Sequence, residues 1–314
     1  MPAEPRIVPV PCPFGTAGGT VYVYYIDAPQ PALVDTGVAT SPGTTIEPAL
    51  NALGLSLRNV KWILATHGHW DHIGGAHAAR SMAADDVQVA LHAADHELLQ
   101  SRRAHMADDG YQALRFRYLD DPEALARQDA LLMENLSGEL AADRELRGGE
   151  RISLGGDVTV EAVFTPGHSP GSCSFLVNDQ LCTGDGVQVR GGPSGFPLYV
   201  DPLAYRATQQ KLLEDVRPTR VYAGHRFTLL DGTLLDSVIE GPRVAQALRD
   251  SLAFHDQIVE AARGVTSLDL AQPNALALAP AADALGYARD QPLTWPAAFF
   301  TTLHGYMKMA ATAA

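Results

Sequence analysis

Four short apolar runs in this chain each lead into a glycine-containing turn that carries a histidine or an aspartate. The runs are 60–66, 158–165, 180–183 and 220–223. The polar residues that follow them are His67, His168, Asp185 and His225. The length and apolar content of the runs predict buried strands. Because the loops at the carboxyl ends of strands gather at one side of a sheet, we expect these polar residues to meet there.

The first of these turns concentrates four possible metal ligands in six residues. His67, His69, Asp71 and His72 stand in the run HGHWDH, directly after the strand predicted over 60–66. Imidazole nitrogen and carboxylate oxygen are common zinc ligands. A tight loop can aim alternate side chains at one ion and the next pair at a neighbouring ion, so that the two ions clamp an attacking water. The alternative is an ordinary polar loop that is rich in histidine.

The three later turns strengthen the metal hypothesis. His168 lies in the glycine- and proline-rich run TPGHSPGS, Asp185 ends the run CTGD, and His225 ends the run VYAGH. A carboxylate such as that of Asp185 can bridge two cations because it offers two oxygens. Each Gly-His or Gly-Asp pair is weak evidence when taken singly, but together with HGHWDH they predict a two-metal site.

These motifs resemble those of the metallo-β-lactamase superfamily. HGHWDH matches the family's HxHxDH signature, and TPGHSPGS, TGD and AGH follow it in the family's order. The resemblance covers about 21–225 and implies an αββα sandwich of two mixed β-sheets flanked by helices, with the metals at one edge. It implies that His67, His69 and His168 bind one ion and that Asp71, His72 and His225 bind the other. Asp185 bridges the two ions in this scheme.

Asp35, Thr36 and Gly37 form a DTG run, which also occurs in aspartic proteases. Those enzymes need two such aspartates in one site, whereas this chain has a single DTG. We therefore interpret Asp35 as a residue that supports the metal ligands through hydrogen bonds.

Two segments read as helical and flank the predicted sheet elements. The region 93–147 carries charged residues and leucines at helical spacing without a strand signal, and the chain from 234 onward is largely helical. We predict a catalytic domain over 1–233 with a helical insertion at about 93–147, and a helical extension over 234–314 that covers the active site. Side chains expected to face the metals are Tyr111, Phe116, Leu131, Met133, Trp295 and Phe299. For Phe196, Tyr199, Trp295, Phe299 and Phe300, core packing is the competing interpretation.

Composition bounds the partners and the compartment. The formal net charge is −13 with no block of basic residues, which disfavours nucleic acid as a partner. The first ten residues lack the pattern of a signal peptide, and no stretch approaches the ~20 apolar residues that span a bilayer. Three cysteines without CxxC spacing suit a reducing cytoplasm. We expect a cytoplasmic protein with a small-molecule substrate, no membrane association, and helical segments that either cover the site or mediate a homodimer.

The predicted activity is hydrolysis by a water activated between two zinc ions, with iron or manganese as alternative metals. Asp71 and Asp185 are the predicted catalytic residues, because they can orient that water and return a proton to the leaving group. The resemblance points to a lactone or thioester of a small or medium acyl group. The alternatives are a mono-iron persulfide dioxygenase, a phosphodiesterase, and a non-enzymatic regulatory binding partner.

Overall fold

The structure is a computed structural model that describes residues 5–15, 18–107, 113–191, 195–265, 269–270 and 272–313. The strands are β1 (Arg6–Phe14), β2 (Gly19–Asp27), β3 (Ala32–Val34), β4 (Trp62–Leu64), β5 (Gln88–His92), β6 (Arg144–Leu146), β7 (Arg151–Ser153), β8 (Thr159–Phe164), β9 (Cys173–Val177), β10 (Gln180–Gly184), β11 (Arg190–Gly191), β12 (Arg220–Ala223), β13 (Phe227–Thr228) and β14 (Val238–Glu240).

The α-helices are α1 (Glu47–Asn51), α2 (Trp70–Ile73), α3 (Ala76–Met82), α4 (His96–Gln100), α5 (Arg102–Ala107), α6 (Ala113–Leu119), α7 (Pro122–Glu134), α8 (Pro202–Lys211), α9 (Pro242–Ala262), α10 (Ala279–Ala284) and α11 (Ala297–Ala313). Two π-helical turns are Pro42–Ile46 and Leu212–Val216. Short 3-10 helices are Leu57–Asn59, Ala93–Asp95, Ala275–Leu278 and Pro292–Thr294.

Two six-stranded mixed sheets form the centre of the molecule. The first has the order β1-β2-β3-β4-β5-β6, antiparallel from β1 to β3 and parallel from β3 to β6. The second has the order β14-β12-β10-β9-β8-β7, in which β10 and β12 are parallel and the other pairs are antiparallel. The hairpin between β9 and β10 turns at Asn178, whose φ of 57° is left-handed. Strands β11 and β13 form a separate two-stranded pair.

The side chains divide into layers, as strand alternation requires. In β2, Tyr24 and Ile26 face the second sheet, where they join a buried cluster with Phe175 and Tyr222. Val21, Val23 and Tyr25 face the other way and pack against the helical segments that carry Ile46, Leu50 and Ala79. The outer face of the second sheet is covered by α8 to α11. The predicted four-layer αββα sandwich is therefore confirmed.

Several strands lie where the sequence pattern predicts none. The prediction that 93–147 lacks strands is wrong at its end, because β6 pairs in parallel with β5. The prediction that the chain is largely helical from 234 omits β14, which pairs with β12. Both strands have three residues, too few for a hydrophobic alternation to show.

Strand β1 is hidden in the sequence by its prolines. Pro9, Pro11 and Pro13 alternate along it and are exposed, so all three point to the same side. Proline has no N–H to donate and is tolerated in a sheet only at an edge. Strand β1 is the edge strand and pairs with β2 alone. The three proline nitrogens, which have no hydrogen to donate, therefore lie along the edge of β1 that has no neighbouring strand.

The C-terminal helices contribute a large part of the apolar core. Trp295, Phe299 and Phe300 are at most 1% exposed and pack among themselves, and Phe196 contacts Phe299. Trp295 and Phe299 are therefore core residues, and they do not face the metal site as expected.

Tyr111, another residue expected to face the metals, lies outside the described residues. The division of the chain at 233/234 stays a prediction, and no helix in the described residues is long and apolar enough to cross a bilayer.

A buried tyrosine hydroxyl helps to join the two sheets. The Tyr24 hydroxyl of β2 donates to the carbonyl oxygen of Ala223 in β12 at 2.6 Å. Tyr24→Phe removes this donor from a buried carbonyl, so we expect the free energy of unfolding to fall by about 1–3 kcal/mol in urea denaturation. Tyr25→Phe makes the same change on the opposite face of β2 and serves as the control. Equal losses in the two variants would contradict a specific role for the bond between the sheets.

Candidate metal centre

Three histidines meet where the loop after β4 faces the loop after β8. His67 and His69 come from HGHWDH, and His168 comes from the turn between β8 and β9. His67 Nε2 lies 3.1 Å from His69 Nδ1 and 3.2 Å from His168 Nε2, and the last two nitrogens are 2.9 Å apart. We call these three residues the first cluster.

The triangle of nitrogens in the first cluster has the size of a zinc ligand face. At a zinc–nitrogen distance of 2.0–2.1 Å, tetrahedral geometry puts two ligand nitrogens about 3.3 Å apart. The three observed separations lie slightly below that value. The three contacts cannot all be hydrogen bonds, because each needs one nitrogen with a hydrogen and one without, and among three nitrogens at least two are of the same kind. The first cluster therefore has the geometry of a cation site with a fourth position left for another ligand.

A second cluster, made of Asp71, His72 and His225, adjoins the first. Asp71 and His72 lie on the short helix α2, and His225 follows β12. Asp71 Oδ2 lies 3.2 Å from His225 Nε2 and 4.0 Å from His72 Nε2. All three side chains are buried and their ligand atoms converge closely enough to hold one ion.

Asp185 stands between the two clusters with one oxygen toward each. Its Oδ1 lies 3.4 Å from His72 Nε2 and 3.6 Å from His225 Nε2, and its Oδ2 lies 3.5 Å from His168 Nε2. The carboxylate is thus oriented to bridge two sites. The structure brings together all seven residues that the sequence predicts as ligands, which are His67, His69, Asp71, His72, His168, Asp185 and His225.

Three buried atoms of this group have no hydrogen-bond partner among the described residues. They are His72 Nε2, Asp185 Oδ1 and His225 Nε2. A buried polar atom without a partner is destabilising by about 1–3 kcal/mol. Because all three atoms point into the same space, one divalent cation there would satisfy them together. The residues present therefore fit a divalent metal.

The two clusters differ in the direction in which the pKa values of their histidines shift. Burial, with a smaller contribution from neighbouring histidines, lowers the pKa of His69 and of His168 to about 4 and that of His67 well below its usual value. These rings are neutral at pH 7 and keep a lone pair for a metal. Burial also acts against charge on His72, but Asp185, Asp71 and Asp35 outweigh it and raise the pKa of that ring. The carboxylates therefore favour positive charge at the second cluster.

In three of the five rings, the nitrogen that faces away from the clusters is held by a partner. His72 Nδ1 lies 2.8 Å from Asp35 Oδ2, His168 Nδ1 lies 3.1 Å from the Leu198 carbonyl oxygen, and His225 Nδ1 lies 2.7 Å from the Thr20 carbonyl oxygen. These oxygens can only accept, so each Nδ1 carries a hydrogen and Nε2 is the nitrogen left to bind a metal once it is unprotonated.

Asp35 joins the two ends of the HGHWDH turn, which agrees with its interpretation as a residue that supports the metal ligands. Its carboxylate accepts from the Thr66 N–H at 2.7 Å, from the Thr66 hydroxyl at 2.8 Å, and from His72. Since the Thr66 hydroxyl donates to Asp35, it accepts from His67 Nδ1 at 3.0 Å. The φ of Asp35 is 62°, a left-handed value that aspartate and asparagine tolerate better than most residues.

Asp95 is a second supporting carboxylate, and the sequence does not reveal it. It is 1% exposed and accepts from the Gly68 N–H at 2.8 Å, the Ser169 hydroxyl at 2.6 Å and the Gly171 N–H at 2.7 Å. It thereby joins the turn that carries His67 and His69 to the turn that carries His168. No local motif marks this aspartate, because its partners are distant in sequence.

Gln188 is the other residue that sequence reasoning missed. Its Nε2 donates to Asp185 Oδ2 at 3.0 Å, and its Oε1 accepts from the Leu198 N–H at 2.8 Å. Its position three residues after Asp185 is the one sequence signal that could have indicated this role. A glutamine near an aspartate is too common, however, to be singled out on that ground.

A cavity of about 240 Å³ opens beside His69. The residues that line it are His69, Ala94, Asp95, Glu97, Leu98, Ala104, Ser169, Pro170 and Val200. Several of these belong to the region 93–147, so part of that region forms a wall of the site. No lysine or arginine is among the described residues that line the cavity.

Asp35→Asn should weaken metal binding at the second cluster. If the asparagine oxygen accepts from Thr66, its amide N–H₂ faces the hydrogen on His72 Nδ1. Two donors then oppose each other, and the bond that orients the His72 ring is lost. We expect a 10–100-fold lower metal affinity, about the effect of removing such outer partners, in chelator competition. Asp120→Asn is the matched control, because Asp120 also has a positive φ but is exposed. Unchanged affinity in Asp35→Asn would show that His72 needs no such support.

Comparison with known proteins agrees with this geometry. A relative from Caenorhabditis elegans, the beta-lactamase-like protein 2 homolog, is 23% identical over 83% of this chain and 72% of its own length. A cytoplasmic hydroxyacylglutathione hydrolase from Arabidopsis thaliana is 24% identical over 54% of this chain and 51% of its own length.

The fold is shared with a solved structure of a metallo-beta-lactamase family protein from Thermus thermophilus. The two chains superpose with a TM-score of 0.66 at 22% identity, over 98% of this chain and 94% of the other. The family model of the metallo-beta-lactamase superfamily matches residues 16–225, more than half of the chain and a range that holds all seven predicted ligands. This protein belongs to the metallo-beta-lactamase superfamily.

Proposed function

We propose that this protein is a zinc-dependent hydrolase with two ions per chain that cleaves an ester-type bond, either a lactone or a thioester. The observation that carries the proposal is the pair of adjoining clusters with Asp185 between them. A single ion at the first cluster would leave His72 Nε2, Asp185 Oδ1 and His225 Nε2 buried and unpartnered. A second ion satisfies all three.

The donor set favours zinc. The first cluster offers three neutral imidazole nitrogens, and the second offers two imidazoles with a carboxylate. Magnesium and calcium prefer sites built almost wholly of oxygen, whereas zinc is bound by mixed nitrogen and oxygen ligands. Iron and manganese accept similar ligands and are the competing metals.

Cations bound at both clusters would lower the pKa of a water between them toward neutrality and polarise an acyl carbonyl. Asp71 and Asp185 then have the catalytic roles. Each carboxylate can accept a hydrogen bond from the attacking water and so orient its lone pair toward the carbonyl carbon. Either carboxylate can afterwards transfer the proton to the leaving oxygen or sulfur.

The surroundings of the site favour an acyl substrate over a phosphodiester. The cavity beside His69 is lined by that ring, by Ser169, by the carboxylates of Asp95 and Glu97 and by apolar side chains, and no lysine or arginine lies among its described lining. A phosphodiester carries a charge that this lining repels. The Arabidopsis relative is named for a thioester substrate, which supports the thioester branch of the proposal.

A reducing compartment is part of the proposal. Cys12, Cys173 and Cys182 are all buried and free of disulfides, as in proteins of the cytoplasm.

Metal content and turnover test the proposal together. We expect elemental analysis of the purified protein to give about two zinc ions per chain, because the two clusters supply more ligands than one tetrahedral site accepts. Lactone and thioester substrates should be turned over, and phosphodiesters should not. One iron per chain without a second ion would contradict the proposal and favour a dioxygenase. Two zinc ions in a chain that turns over none of these substrates, but forms a stable protein complex, would favour the regulatory alternative.

Asp71→Asn should leave the protein folded while kcat falls by about 10²-fold or more, the size of an acid–base contribution. An amide neither binds the cation as well as a carboxylate nor accepts the proton. Asp157→Asn, at an exposed position between β7 and β8, is the control and should retain activity. Far-ultraviolet circular dichroism verifies the fold of both. Near wild-type turnover by a folded Asp71→Asn protein would remove Asp71 from the mechanism.

A further inference from the structure

The backbone of Leu198 holds two of the seven candidate ligands. Its carbonyl oxygen accepts from His168 Nδ1 at 3.1 Å. Its N–H donates to Gln188 Oε1 at 2.8 Å, and Gln188 Nε2 donates to Asp185 Oδ2 at 3.0 Å. A shift of the Leu198 peptide groups would therefore move His168 directly and Asp185 through Gln188.

Leu198 lies in a segment, 195–201, that has no helix or strand to hold it. Two backbone bonds anchor its far end, because the N–H groups of Val200 and Asp201 donate to the Gly167 carbonyl oxygen at 2.8 and 3.0 Å. Leu198 itself is buried in the apolar core, and the peptide groups on either side of it make further contacts.

Those contacts come from the C-terminal helix α11. The Thr302 hydroxyl donates to the Pro197 carbonyl oxygen at 2.8 Å and accepts from the Tyr199 N–H at 2.9 Å. One side chain thus binds the residues immediately before and after Leu198. Thr302 is fully buried, so water does not compete for either bond.

Close packing of α11 against the same segment adds a second constraint. A Cβ built on Gly305, one turn after Thr302, would lie 2.9 Å from the Val200 carbonyl oxygen and 3.1 Å from that of Tyr199. These contacts are with backbone, which cannot rotate away as a side chain can. The helix therefore lies as near to 199–200 as the absence of a side chain allows.

We propose that α11 positions the metal ligands His168 and Asp185, and that Thr302 is the positioning residue through which it does so. The chain of hydrogen bonds runs from Thr302 to the peptide groups around Leu198, and from Leu198 to His168 and to Gln188 and Asp185. The C-terminal helices in this view are part of the metal centre's support rather than only a cover over it. The inference rests on the proposed metal site.

Metal affinity tests this inference apart from activity. Thr302→Val keeps the shape of the side chain and removes both hydrogen bonds, so we expect the affinity for Co²⁺ to fall by about 10-fold, the lower end of the range for outer partners. The visible absorption of the Co²⁺-loaded protein should change as well, because the ligand geometry changes. Thr302→Ser restores the hydroxyl and should restore both the affinity and the spectrum.

Gly305→Ala reaches the same segment by a different route. Its added methyl group pushes α11 away from 199–200, and we expect the same direction of change in affinity and spectrum. This variant decides the question if Thr302→Val does not fold.

A control separates positioning from a general loss of stability. Trp295 Nε1 donates to the Ala288 carbonyl oxygen at 2.8 Å, so Trp295→Phe weakens the C-terminal region without touching the bonds of Thr302. It should lower Tm and leave the Co²⁺ affinity and spectrum unchanged.

Two results would overturn the inference, and they differ from each other. If folded Thr302→Val and Gly305→Ala proteins bind Co²⁺ with wild-type affinity and spectrum, Thr302 contributes only stability and the proposed metal site stands. If the wild-type protein itself binds no divalent metal, the proposed function fails and the inference fails with it.

Discussion

The structure depends on one electrostatic constraint: seven ionisable side chains, none more than 7% exposed, aim their donor atoms at two adjoining points. Burying such groups without partners is costly, and their lone pairs and charges repel one another. Cations at the two points reverse that balance, because every inward donor then has a positive partner. The donor atoms must also stay in place, although each imidazole ring could rotate or move its hydrogen from one nitrogen to the other. Much of the surrounding structure prevents these two changes.

Three of the five rings are each fixed by an acceptor from a different part of the fold. His72 is held by Asp35 after β3, His225 by the backbone of β2, and His168 by the irregular segment around Leu198. Two buried carboxylates add to this: Asp35 joins the two ends of the HGHWDH turn, and Asp95 ties that turn to the turn of His168. The turns themselves are short and glycine-rich, so they could not hold the ligands alone. Precision at the site therefore comes from the two sheets and from the loops that cross between them.

The division between what the sequence predicts and what it hides follows from the range of the interactions. The convergence of the candidate ligands was predictable because metal chemistry restricts their types and because each follows a strand in a recognisable order. Strand β1 was hidden, since its alternating prolines look unsuitable until the strand is placed at an edge. Asp95 and Gln188 were hidden for another reason. Their roles consist of hydrogen bonds to residues brought near by the tertiary fold, and aspartate or glutamine in such places has no distinctive local pattern.

Interactions between residues distant in sequence also join the C-terminal helices to the rest of the chain. A separate covering unit would contact the catalytic part through an interface that could slide or open. Here the contact includes specific buried hydrogen bonds. His255 Nε2 of α9 donates to the Pro202 carbonyl oxygen at 2.9 Å. The Tyr205 hydroxyl lies 3.3 Å from Ser251 Oγ of α9 and accepts from the Gln188 N–H at 2.7 Å. Strand β14, just before α9, extends the second sheet. Because these bonds and the apolar core around Phe299 are shared by both parts, separating the helices would expose polar and apolar groups together. The helices and the second sheet should therefore unfold as one cooperative unit, and the candidate metal centre lies at the edge of that unit.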